Sequence, residues 1–259
     1  MNYVNSKDST RIAYEKNGKG SELIIIGGSL ADHQMYIPLA SELSKKFSVI
    51  NFDRRNRGKS DTSTNHTVET ELQDLEAIFK LCKNAPIVYG HSAGAALAIR
   101  AAAIGFTISN LILSDLPFSP INENSESEIH KFQEEYTEIK KLLEIGNKTG
   151  AVKYFLKDFG MTEEQLDEFV ASAHGKKTIN LGTTLPIDYE ILENGLVPAH
   201  HLKNIKTPTT ILTADYGLQV AEDVAKHLSN VSIKMLETPS HSAPVTEISK
   251  YIFNLIKEH

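Results

Sequence analysis

Residues 86–97 read Pro86-Ile87-Val88-Tyr89-Gly90-His91-Ser92-Ala93-Gly94-Ala95-Ala96-Leu97. A short apolar run passes without a spacer into an alanine-rich stretch, so the pattern is strand, sharp turn, helix. Between them stands G-x-S-x-G, the pattern of a nucleophile elbow. A strand that turns directly into a helix brings backbone against backbone, so the flanking positions must be small. The serine is then held in a strained conformation with its hydroxyl above the sheet edge. The next N–H, that of Ala93, faces the same space and can donate to a developing negative oxygen. The bare pattern recurs by chance in many chains. The strand before it and the helix after it give it meaning here.

Outward from this turn the same alternation repeats. Short apolar runs cover Leu23 to Ile26, Phe47 to Phe52, Leu111 to Leu113, Thr209 to Thr213 and Val231 to Leu236. Helical patterns lie near residues 33–46, 68–83, 93–104, 219–229 and 245–257. Apolar strands alternating with helices predict a mostly parallel sheet covered on both faces, an α/β fold. Tyr3 to Asn5 and Arg11 to Lys16, closed by Asn17-Gly18, read as an antiparallel start to that sheet. From Phe118 to Leu202 the alternation stops. Glu128 to Ile145 is a charged helix with Phe132, Tyr136, Ile139 and Leu143 at three-to-four spacing. Ala151 to Phe159 and Glu163 to Ala173 are two shorter amphipathic helices. Residues 118–202 are therefore expected to be a helical cap inserted into one discontinuous core of residues 1–117 and 203–259.

The 259 residues alone leave one or two domains open, at roughly 150 residues per domain. The insertion accounts for the surplus length. A hydrophobic share of 41% and a charged share of 23% are those of an ordinary globular chain. A net charge of −6 gives no electrostatic reason to bind nucleic acid or an anionic membrane. Cys82 is a lone cysteine, so no internal disulfide can form. The start, Met1 to Lys7, carries no signal-peptide pattern, and a cytoplasmic location is expected. Monomer and homodimer both stay open.

Two further motifs join the elbow. The first is Gly27-Gly28-Ser29, directly after an apolar strand. The second is Asp53-Arg54-Arg55-Asn56-Arg57-Gly58-Lys59-Ser60. The second ends like a phosphate-binding loop, but the first glycine of such a loop would fall on Asp53, so nucleotide binding is not expected. With these motifs the chain resembles the α/β-hydrolase family nearly end to end. That resemblance implies an eight-stranded, mostly parallel sheet, with helices on both faces and an inserted helical cap. The family loop after the third strand usually reads His-Gly-x; here Gly27 replaces the His. The resemblance implies that the N–H groups of Ser29 and Ala93 form an oxyanion hole. The lost His leaves the donor but puts the anchoring of its loop in question. The second motif matches a family turn, D-x-R-G-x-G-x-S, with Asn56 in place of one glycine. Asparagine tolerates the left-handed backbone such a turn needs.

The resemblance also implies a Ser-His-Asp triad. Ser92 is the nucleophile. The general base is His241, just after the last apolar run and before the C-terminal helix. A serine hydroxyl is a weak nucleophile unless an imidazole takes its proton and later returns it. The carboxylate that orients the imidazole is the open member. The usual slot after the seventh strand falls on Gly217, with Asp215 two residues earlier. Asp115 ends the sixth strand, where some family members carry their acid, and is favoured over Asp215. Gly28, Leu30, His91, Phe118, Phe132, Tyr136 and Phe155 are expected to contact substrate, with Ile121 and Phe159 also able to face the site. No H-E-x-x-H pattern occurs, and the neighbouring His200 and His201 do not share a helix face, so neither a metal nor a cofactor is expected. The implied activity is hydrolysis of a small, partly apolar carboxylic ester, lactone or thioester through an acyl-enzyme. Related chemistry on the same triad remains open, namely C–C bond hydrolysis, perhydrolysis or cyanohydrin cleavage. So does a relative that binds ligand without turnover.

Overall fold

The computed structural model describes residues 1–238 and 243–255. Its strands are β1 (Asn2–Asn5), β2 (Arg11–Gly18), β3 (Glu22–Ile26), β4 (Ser48–Phe52), β5 (Ile87–His91), β6 (Asn110–Ser114), β7 (Thr209–Thr213) and β8 (Val231–Met235). They form one sheet in the order β1-β2-β4-β3-β5-β6-β7-β8. β1 and β2 pair antiparallel, as do β2 and β4, and every later pairing is parallel. Core helices are α1 (Ile37–Leu43), α2 (Val68–Phe79) and α3 (Ala93–Ala103). Between β6 and β7 the chain forms α4 (Ser125–Glu144), α5 (Lys148–Lys157), α6 (Glu163–Ala171), α7 (Ala173–Leu181), α8 (Leu185–Leu192) and α9 (Ala199–Leu202). α10 (Leu218–Ala225) and α11 (Val245–Leu255) complete the core.

The apolar runs become strands because both faces of the sheet are covered. β3 shows the period of two. Leu23 and Ile25 pack with Leu39 and Leu43 of α1 and Ile248 and Ile252 of α11. Ile24 and Ile26 pack on the other face with Leu75 and Ile78 of α2 and Leu97 and Ile99 of α3. The helix expected at 33–46 is shorter. His33–Tyr36 is a 3-10 turn, and α1 begins only at Ile37 with Pro38 in its first turn. Proline fits a first turn, where its missing N–H costs nothing.

The helical block between β6 and β7 closes at its base. Ser119 N–H donates to the Gly195 carbonyl at 2.8 Å, and Val197 N–H to the Ser119 carbonyl at 3.1 Å. The block has a small apolar centre of Ile139, Ala151, Leu185 and Tyr189. α8 serves both layers. Its Leu185 and Tyr189 enter that centre, while Ile187 and Ile191 enter the core of the α3 side. The short helices α7, α8 and α9 are absent from the sequence reading, because packing rather than a long amphipathic period defines them. Among the described residues no helix is long and apolar enough to cross a membrane.

Candidate active site

Ser92 sits between β5 and α3 with φ 53° and ψ −126°. That left-handed backbone is strained for a serine, and the two glycines around it explain how it is tolerated. A Cβ on Gly94 would lie 2.2 Å from the Ile26 carbonyl oxygen, and one on Gly90 would lie 2.7 Å from Ala95 Cα. The strand, the turn and the helix can approach only with glycine at both positions. Ser92 N–H donates to the Ser114 carbonyl of β6 at 3.0 Å. His91 pairs with Ser114 in the parallel register, so Asp115 follows β6 beside Ser92. Asp115 also has a positive φ, 54°.

Two cavities, of about 300 Å³ and 420 Å³, share Ser29, Ser92, Asp115, Phe155 and Phe159 in their walls. Ala93 lines the smaller one. As the first residue of α3, its N–H has no acceptor within the helix. Ser29 gains its orientation from Gly28. The Gly28 N–H donates to Tyr36 Oη at 2.9 Å, and the Gly28 carbonyl accepts from Arg57 Nη1 at 2.6 Å. The peptide joining Gly28 to Ser29 is trans. In a trans peptide the C=O and N–H point in opposite directions. Arg57 therefore turns the Ser29 N–H away from itself. The loop that lacks the usual His is anchored on both sides of Gly28, by two residues the sequence reading did not assign.

Tyr36 extends this network. Burial pushes its hydroxyl up to about 12, so it stays protonated near neutral pH. Its oxygen already accepts from Gly28, which leaves its proton for His91 Nδ1 at 2.9 Å. His91 Nε2 then faces Asp115 Oδ2 at 3.7 Å. Tyr216 Oη donates to Asp115 Oδ1 at 2.6 Å. Burial, then the bond to Asp115, raises the Tyr216 hydroxyl well above its ordinary range. Tyr216 stands beside Gly217, the vacant acid slot, and reaches across to the end of β6. Asp215 is exposed and lines neither cavity. His241 lies outside the described residues.

The motif at 53–60 is a buried structural turn. Asn56 has φ 61° and Gly58 φ 53°. A Cβ on Gly58 would strike the Asp53 carboxylate, which accepts from His33 N, His33 Nδ1 and Lys59 N. Its arginines do more than the sequence reading assigned. Arg54 grips Glu71 of α2 with Nε at 3.0 Å and Nη2 at 2.9 Å, and reaches Asp188 of α8 with Nη1 at 2.9 Å. Arg57 Nη2 meets the same Asp188 oxygen at 2.7 Å. Burial alone would raise the Glu71 carboxyl, but the charge of Arg54 overrides it and holds it far below the usual range. Burial and neighbouring Arg54 lower Arg57. The available signal was three arginines in one short turn, with Glu71 and Asp74 three apart on the helix that follows.

The expected substrate-contact residues divide. Gly28, Leu30 and His91 line the larger cavity, Phe118 and Phe132 the smaller, and Phe155 both. Tyr136 lines neither. Its ring stacks on Tyr189 at 5.7 Å, and its hydroxyl donates to Glu190 at 2.9 Å, so its apolar spacing served the packing of the helical block. Ile121 is exposed. The smaller cavity also holds carboxylates that the sequence reading did not assign. Glu135 and Asp158 flank Lys131, which pairs with Asp158 at 2.7 Å and Glu135 at 3.5 Å. Burial and then Asp158 raise the Glu135 carboxyl. Cys82 is half-buried, and burial pushes its thiol up to about 11, which makes it a poor nucleophile.

A strained serine between a central strand and a helix, beside a cavity that Ser29 and Ala93 also line, belongs to a well-defined fold class. The alpha/beta hydrolase family model matches residues 23–243, and the chain belongs to that family. An alpha/beta hydrolase from Sphaerobacter thermophilus is 27% identical, with a TM-score of 0.86 over 98% of this chain and 100% of that one. An esterase from Exiguobacterium antarcticum is 18% identical, with a TM-score of 0.68, 99% of this chain and 98% of that one being covered. An N-formylmaleamic acid deformylase from Pseudomonas putida is 20% identical, with a TM-score of 0.65, covering 96% and 99%. At such identities the last two establish the shared fold alone.

Proposed function

We propose that this hydrolase cleaves carboxylic esters, lactones or thioesters through Ser92, His241 and Asp115, with Ser29 and Ala93 N–H groups as the oxyanion hole. The observation that carries the reading is Ser92 on its strained turn, sharing cavity walls with Asp115, Ser29 and Ala93. In the first step His241 takes the Ser92 proton as Oγ bonds to the carbonyl carbon. The two N–H donors stabilise the oxyanion. The carbon–alkoxide bond breaks, and the alcohol leaves with the proton held by His241. Water, activated by the same imidazole, adds to the acyl-enzyme; the acid departs and Ser92 regains its proton. None of these steps calls for a metal or a cofactor.

Asp115 supports the role of acid by position. It is one residue past the strand that neighbours the serine's own, and its side chain is largely enclosed. Tyr216 holds one of its oxygens, and His91 faces the other. The wall chemistry supports a substrate that is small and partly aromatic or alkyl. Glu128, Glu135 and Asp158 outnumber Lys131 there, while Asp188 is offset by Arg54 and Arg57, so an added negative charge on the substrate would be repelled. Turnover of short p-nitrophenyl esters, with labelling by a fluorophosphonate probe, tests the reading. Loss of both in Ser92→Ala is expected. Equal turnover by wild type and Ser92→Ala would overturn the proposal, and a folded wild type that takes no label would point to binding without turnover.

A further inference from the structure

Away from this site, the chain's return from the helical block to the sheet gathers three metal-ligating side chains. Glu193 caps α8, and His200 and His201 lie on α9. His200 Nε2 is 3.3 Å from Glu193 Oε2, and His201 Nε2 is 3.1 Å from Glu193 Oε1. The two rings lie 4.2 Å apart. One ligand atom from each of the three falls within 4.8 Å of the others. Adjacent histidines do not share a helix face in a regular helix. Here the turn into a four-residue helix lets both imidazoles converge on one carboxylate from the preceding helix.

We propose that Glu193, His200 and His201 form a binding site for a divalent transition-metal ion of the zinc class, separate from the hydrolytic site. The distances fit the ion. Tetrahedral zinc with bonds near 2.0–2.2 Å sets neighbouring ligand atoms roughly 3.3 Å apart. Each imidazole nitrogen is already about that far from one carboxylate oxygen, His200 from Oε2 and His201 from Oε1. Two imidazoles and one carboxylate suit Zn²⁺, Co²⁺ or Ni²⁺, whereas Mg²⁺ and Ca²⁺ favour all-oxygen shells. The group is also reachable, since the His200 side chain is 63% exposed. None of the three lines the cavities at Ser92. The ion's effect is therefore to fasten the end of α8 to α9. Water would complete its shell.

Arg100 of α3 is the competing group. Its Nη2 lies 3.0 Å from Glu193 Oε1, and it also donates to the carbonyls of Ile191 at 2.7 Å and Glu190 at 3.1 Å. Metal binding would take the carboxylate and leave Arg100 on those two carbonyls. A second cluster, Asp32, His33 and Asp53, differs in kind, because the Asp53 carboxylate already accepts from His33 N, His33 Nδ1 and Lys59 N.

The test uses the full chain without a purification tag, stripped by a chelator and titrated calorimetrically with ZnCl₂ and, separately, MgCl₂. One equivalent of Zn²⁺ should bind, with a rise in Tm, and Mg²⁺ should not. His200→Ala and His201→Ala should each weaken Zn²⁺ binding at least tenfold, and the double variant should lose the Tm rise. Co²⁺ should give the visible bands of a low-coordinate nitrogen and oxygen site in wild type alone. Equal Zn²⁺ affinity in wild type and the double variant would overturn the proposal, as would equal affinity of wild type for Zn²⁺ and Mg²⁺. Ester turnover is a separate readout, so failure of the hydrolase reading leaves this test intact.

Discussion

Replacing Tyr36 by Phe removes one oxygen and keeps the ring. That oxygen joins the Gly28 N–H at 2.9 Å to His91 Nδ1 at 2.9 Å. Tyr36 is only 6% exposed, so water cannot easily take its place. A buried donor left without a partner costs about 1–3 kcal/mol. In a chain of this size each kcal/mol lowers Tm by roughly 2–4 °C. The catalytic effect has an upper bound. Loss of a whole oxyanion donor costs about 10²–10³ in kcat. Tyr36→Phe leaves the Ser29 N–H in place and loosens only its neighbour, which Arg57 still holds by the carbonyl. The expected kcat on short p-nitrophenyl esters therefore falls, but by less than that bound, with Tm lower by a few degrees. Thermal unfolding by circular dichroism and steady-state kinetics on the same preparation give both readouts. Unchanged Tm and unchanged kcat would refute the view that the Tyr36 hydroxyl anchors this loop.

Asp115→Asn should lower kcat on the order of 10⁴-fold if it orients the imidazole as a triad acid does, while Asp215→Asn should leave the rate near wild type; the opposite pattern in ester kinetics would reassign the acid. Asp188→Ala strands Arg57 in the interior and leaves Arg54 with Glu71 alone, and should destabilise the protein by about 3–5 kcal/mol, read by urea unfolding; an unchanged urea midpoint would refute the view that this pair secures α8. Glu71 is depressed in the folded protein, so its contribution is complete above its ordinary value near 4.5 and is lost as pH falls toward its folded value. Glu71→Gln should therefore flatten the acid side of the stability profile, and parallel profiles for the two proteins would contradict that assignment. Among p-nitrophenyl esters of matched size, those with a neutral or cationic acyl group should show higher kcat/KM than those with a carboxylate, and the gap should shrink in Asp158→Asn.

The elbow was legible because its local rule is strict: Gly90, Ser92 and Gly94 each answer to a backbone clash or a strained angle. The strands were legible because burial on both faces makes them continuous apolar runs, as in Leu23 to Ile26. The walls of the site were less so. Tyr136 and Phe132 sit at the same helical spacing, yet Phe132 lines the cavity and Tyr136 stacks on Tyr189. Spacing assigns a face of a helix, not what that face meets. Arg57 and Asp188 are 131 positions apart, so no local pattern could pair them. The same holds for Tyr216, whose link to Asp115 spans 101 positions.

That long-range pairing bears on how the helical block and the oxyanion loop are related. Arg57 touches both: Nη1 holds the Gly28 carbonyl and Nη2 holds Asp188 of α8. A guanidinium is planar and rigid, so it cannot follow one contact without moving the other. Displacement of α8 would therefore pull on the peptide that carries the Ser29 N–H. The buried ions are poor evidence for stability by themselves, because desolvation offsets much of their attraction. An apolar set of similar volume could hold α8 against α3 as firmly, as Ile187 and Ile191 already do. It could not fix the direction of a carbonyl. The geometry of Arg57, rather than the energy of its ion pair, is what the loop lacking its usual histidine requires.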